Sequence, residues 1–132
     1  METYALDTRN GETLTVELLF KDGEETIELT GYQAFAQVRE YPESPVLLES
    51  FTCQVTANEG KVSLSLSSEQ TRRLFQYGLP DHTFPGNAPE RKPYDPVYLC
   101  WDLCMENADT RTYIIGGPLV IYPVVTVIPE PL

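Results

Sequence analysis

Histidine is nearly absent from this chain, with His82 alone among 132 residues. Hydrolytic triads and most metal cages need at least one well-placed imidazole, and His82 lies in a proline-rich stretch. Cysteine is scarce and odd in number: Cys53, Cys100 and Cys104. On a strand, Cys100 and Cys104 would stand about 13 Å apart. A disulfide needs Cα atoms within about 7 Å, so those two do not pair with each other there. All three read as reduced packing residues, and no metal or other cofactor is expected. Basic charge is also short, with nine Lys and Arg against twenty Asp and Glu and a net charge of −11. Residues 1–60 hold twelve acids and three bases, and residues 61–132 hold eight and six. Such a surface repels nucleic acid phosphates and anionic membranes. No apolar run approaches the roughly 20 residues that cross a bilayer. The start, METYALDTRNGE, is acidic and polar rather than a secretory signal, so the protein is expected to be made and kept inside a cell.

Catalytic patterns are missing too. No serine stands in a Gly-x-Ser-x-Gly elbow and no glycine-rich phosphate loop occurs. Glu24 and Glu25 lie in a turn and are solvated. Asp102, mid-strand beside Trp101, is the most interesting acid, but no second placed group accompanies it. No catalytic residue is assigned, and the chain is expected not to be an enzyme.

What is present is a period of two. Leu14, Val16, Leu18 and Phe20 share one face of a strand, and the Asp-Gly turn that follows predicts a hairpin over 13–29. In ELTGYQAFAQVRE, Tyr32, Ala34, Ala36 and Val38 alternate with Gln33, Phe35, Gln37 and Arg39, and YPESP ends the strand. Phe51, Cys53 and Val55 point inward on the next, then Val62, Leu64 and Leu66. Ser67 three residues before Gln70 reads as a capping box that opens a short helix, 68–75. VYLCWDLCM sets Val97, Leu99, Trp101, Leu103 and Met105 against Tyr98, Cys100, Asp102 and Cys104. RTYIIGG returns as its partner, Gly116-Gly117 bends the chain, and a last strand over 118–128 is kinked at Pro123. Residues 129–132 form a tail. Seven or eight short strands with frequent turns predict a single all-β domain, 1–132, built as an antiparallel β-sandwich with one short helix.

Two surfaces read as contacts. Residues 76–97 carry five of the eleven prolines and form a long loop, in which Tyr77, Phe84 and Tyr94 join the basic pair Arg91 and Lys92 as candidate partner-binding residues. The final strand is apolar on both parities (Leu119 and Ile121, Val120 and Tyr122). A strand of that kind is central in a sheet or covered by a neighbour, and its place at the end of the chain favours an edge covered by another subunit.

The order of landmarks resembles a family of small phage and prophage tail proteins related to the N-terminal domain of baseplate upper proteins. Gly11-Glu12-Thr13 stands before the first long strand. Glu28 to Tyr32 matches the Asp/Glu-Leu-Thr-Gly-Tyr turn, and Ala34, Ala36, Gln37, Val38 and Arg39 match the strand after it. Val62, Leu64 and Leu66, then Trp101-Asp102-Leu103, Gly116 and Val125-Thr126, follow in the family's sequence. The chain departs in having Leu99 where a tyrosine is common, and in the length of 76–97. The resemblance implies an immunoglobulin-like sandwich that works by assembly. It implies a structural module of a virion tail or baseplate, assembled in the bacterial host cytoplasm, with other tail proteins or further copies of itself as partners. In that scaffold Arg39 would reach Asp102 across strands. The alternative is a stand-alone acidic binding protein, such as a DNA-mimic inhibitor, or a ligand-binding sandwich module.

Overall fold

The computed structural model describes residues 2–79 and 91–126, and the architecture is an all-β sandwich with one helix. The strands are β1 (Glu2–Thr3), β2 (Leu6–Arg9), β3 (Leu14–Leu19), β4 (Lys21–Asp22), β5 (Glu25–Thr26), β6 (Gln33–Arg39), β7 (Glu49–Ser50), β8 (Thr52–Thr56), β9 (Lys61–Leu66), β10 (Val97–Glu106) and β11 (Arg111–Tyr122). The large sheet runs β1-β11-β10-β6-β7, with β2 also on β11. The small sheet runs β3-β9-β8, and β4 and β5 form a separate ribbon. The chain changes sheets at Phe51, between β7 and β8. The Phe51 N–H donates to Ala36 O at 2.9 Å, and its ring meets Trp101 with centroids 5.9 Å apart.

Alternation dictates the core. Val38, Val62, Leu64, Leu66, Leu103, Leu119 and Ile121 are fully buried between the sheets. Trp101 is buried among them, and its indole N–H donates to Tyr4 O at 3.1 Å, so the largest side chain also satisfies its polar atom. The helix α1 (Ser68–Phe75) begins at the expected capping box. Gln70 N–H donates to Ser67 Oγ at 3.2 Å, and Ser67 N–H donates to Gln70 Oε1 at 2.8 Å. Gln70 Nε2 also donates to Glu49 Oε1 and Ser50 O, which ties the helix to β7. Leu74 and Phe75 bury the opposite side of the helix, which packs on both β9 and β11. No helix among the described residues is long and apolar enough to cross a membrane.

Three expectations about strand pairing are corrected. Over 13–29 only the tip is a hairpin, with Lys21 opposite Thr26 and Asp22 opposite Glu25. β3 pairs instead with β9, Leu14 opposite Leu66 through Leu19 opposite Lys61. Ile27 N–H still donates to Phe20 O at 2.9 Å, and the chain then crosses to the 57–60 turn, where Leu29 N–H donates to Ala57 O at 3.1 Å. Gly116-Gly117 is not a bend between strands, since β11 runs unbroken through it. The glycines are needed because a Cβ at 116 would lie 2.6 Å from Trp101 O, and one at 117 would lie 2.7 Å from Tyr4 O. Last, the final strand is not at an edge. β11 has β10 on one side and, on the other, β1 and β2, which pair with it in parallel while the other pairings are antiparallel. Its apolar residues of both parities therefore belong to an interior strand.

Candidate functional site

The outward parity of the large sheet builds a trough. Across β6, β10 and β11 the register sets Phe35, Cys104 and Tyr113 in one row, then Gln37, Asp102 and Gly116, then Arg39, Cys100 and Pro118. The middle column is two thiols around a carboxylate, and Gly116 adds no side chain beside Asp102. Phe35 and Tyr113 stand at the margins, 48 and 53% exposed. The segment 41–45 forms the roof at one end, with Tyr41 exposed and Glu43 in the left-handed region at φ 66°. Arg39 holds that roof to the sheet: Nη1 donates to Ser44 O and Nη2 to Gln37 Oε1, both at 2.9 Å. The space under it is about 1040 Å³, and a second hollow of about 290 Å³ adjoins it at Gln37, Asp102 and Tyr113.

The expected Arg39–Asp102 pair does not form. Arg39 stands opposite Cys100, two residues away along the strand, and spends its guanidinium on Ser44 and Gln37. Asp102 accepts no hydrogen bond among the described residues. Burial pushes its carboxyl above the ordinary carboxylate range, and the Arg39 charge offsets part of that. The result is a half-buried acid, without a partner, at the floor of an aromatic-rimmed trough. Burial likewise raises the thiols of Cys53, Cys100 and Cys104, so none is a poised thiolate at neutral pH. Among the described residues no three His, Cys, Asp or Glu side chains converge to hold a metal.

The loop residues singled out by sequence divide. Tyr77 is buried, and its hydroxyl donates to Glu40 Oε2 at 2.6 Å; burial and that carboxylate push the phenol well above its usual range. Arg91 lies over the Phe75 ring at 4.4 Å, and donates from Nε to Tyr77 O at 2.6 Å and from Nη1 to Asp95 O at 2.8 Å. Its backbone N–H bonds Gly78 O at 3.0 Å. Tyr77 and Arg91 are thus the clasp at the neck of the loop rather than an exposed contact. Lys92 and Tyr94 are exposed, with the ammonium 5.7 Å from the ring centroid. Phe84 lies outside the described residues, as does His82. The residues that sequence reasoning passed over are Phe35, Gln37, Gly116 and Tyr113. Their outward parity was readable, but that three strands would align them was not.

No family model matches this chain, and no curated protein does. Among solved structures it is similar to a nucleoside hydrolase-related hypothetical protein from Saccharophagus degradans that is associated with carbohydrate metabolism, at 12% identity and a TM-score of 0.27. That match covers 91% of this chain and spans 22% of the other. A likeness this weak carries no argument about fold or activity.

Proposed function

We propose that this protein is a non-enzymatic assembly module of a phage or prophage tail or baseplate, and that it docks onto another tail protein through the trough of its large sheet. The observation that carries the reading is the set of exposed aromatics that line the trough, Phe35, Tyr113 and Tyr41, around a carboxylate that accepts no hydrogen bond from the described residues. Soluble domains usually cover the outer face of a sheet with small polar or charged side chains; aromatic rims around a recess are what recognition surfaces use. Tyrosines supply contact area at low entropic cost, and the Arg39 clamp fixes the roof before a partner arrives. The family resemblance supplies the tail context, and the acidic exterior directs the choice of partner toward a neutral or basic surface.

The test is binding of the purified protein to the purified tail proteins encoded beside it, by biolayer interferometry. Specific binding that is lost on changing Phe35 and Tyr113 together to serine supports the reading. A strict monomer that binds none of them removes it and promotes the acidic-inhibitor alternative.

A further inference from the structure

A second surface is open, and it is an edge rather than a face. β3 is the outermost strand of the small sheet. The Phe20 N–H donates to Gly60 O at 2.7 Å, which continues the β3–β9 register one residue beyond Leu19 opposite Lys61. Hydrogen-bonded and non-bonded pairs alternate along an antiparallel ladder. The even-numbered residues of β3 therefore turn their peptide groups toward β9, and the N–H and C=O groups of Thr15, Glu17 and Leu19 face outward. The apolar side is unfinished as well. Leu14, Val16 and Leu18 point toward the core but are only half-buried, whereas Leu66, Leu64 and Val62 opposite them are fully buried.

Exposed edges are normally blunted by short length, proline, a bulge or several charges. The strands at the margins of the large sheet are two to four residues long. β3 has six residues, a regular register, no proline and one charge, Glu17. What completes such an edge is another extended backbone.

We propose that β3 pairs antiparallel with β3 of a second copy, about a two-fold axis through Val16, to join the two small sheets into one. The register follows from which groups are free. Odd residues must form the hydrogen-bonded pairs, and centring on Val16 sets Thr15 opposite the second copy's Glu17. Centring on Glu17 would place the two like charges opposite each other. The Val16 register also sets Leu14 opposite Leu18, so both half-covered apolar rows become one stripe. This pairing uses a different surface from the trough and stands whether or not a tail protein binds there.

Two variants and one mass measurement test it. By light scattering, the wild-type chain is expected to pass from monomer to dimer as concentration rises through the micromolar range. Thr15→Pro removes an outward donor that the β3–β9 ladder does not use, so the fold and thermal midpoint are retained while dimerisation weakens about tenfold or more. Val16→Cys places the two thiols on the axis at a non-hydrogen-bonded pair, about 4.5 Å between Cα atoms. That is within disulfide reach, so mild oxidation yields a covalent dimer that the wild type, with its three native cysteines, does not form. A wild-type chain that stays monomeric overturns the proposal. So does a dimer that survives Thr15→Pro without Val16→Cys cross-linking, since it then uses another surface. Should Thr15→Pro fail to fold, the cross-link alone decides.

Discussion

Across the outer face of the small sheet the rows read Thr15, Ser65, Thr52 and Glu17, Ser63, Gln54. Across the outer face of the large sheet they read Phe35, Cys104, Tyr113 and Gln37, Asp102, Gly116. Both sheets bury valine and leucine on their inner sides, so the difference is confined to the outward parity. Small hydroxyls make the first face one that water covers at no cost. Aromatics and thiols make the second a recess with Asp102 at its floor. The edges are reversed: the large sheet ends in short strands, and the small one ends in the six-residue β3, which carries a single charge, Glu17. The sandwich therefore offers a face on one layer and an edge on the other, and the two can be disabled separately.

The inner face sets the largest effect. Trp101→Ala removes a buried ring that packs on Phe51 and bonds Tyr4 O, and is expected to cost about 3–5 kcal/mol in urea unfolding followed by circular dichroism. A smaller loss marks the floor of the trough. Gly116→Ala sets a Cβ 2.6 Å from the backbone oxygen of Trp101, and neither strand yields easily, so about 1–3 kcal/mol is expected by the same assay. A tolerated alanine there would show that β10 and β11 are not so closely apposed.

Smaller still, and of opposite sign, is the effect of Asp102→Asn. Burial raises this carboxyl above its usual value near 4, so the folded chain holds the proton more tightly than the unfolded one. Stability is then lost as pH rises from that ordinary value through the folded one, and the loss is complete above it. The asparagine variant should have a slightly higher thermal midpoint than wild type at pH 7, and the difference should vanish in acid. A lower midpoint at pH 7 would mean that the carboxylate has a stabilising partner.

The sequence made some of this visible and hid the rest for a physical reason. The Ser67–Gln70 box and the helix it opens depend on residues three apart, and both stand where the pattern puts them. Trp101 is buried because its strand alternates strictly, a signal contained in nine residues. Pairing partners are not local. The Asp-Gly turn points β3 to the segment that follows it, although its partner in the sheet is KVSLSL, some forty residues on. β11 reads from sequence as an edge because the strands that flank it, Glu2–Thr3 and Leu6–Arg9, are too short to announce themselves. Tyr77 and Arg91 carried the composition of a contact surface, and only packing against Glu40 and Phe75 makes them a clasp. The trough required three strands in register, so none of its residues stood out alone.

The proposed docking face is tested most directly with the double variant Phe35→Ser, Tyr113→Ser against purified phage tail and baseplate proteins, the partners the proposal names. Both side chains are about half exposed, so each replacement is expected to change stability by no more than about 0.5 kcal/mol. A wild-type chain that binds one of those proteins, and a folded double variant that no longer does, is the result predicted. Equal binding by the two would contradict the assignment of the trough as the docking surface.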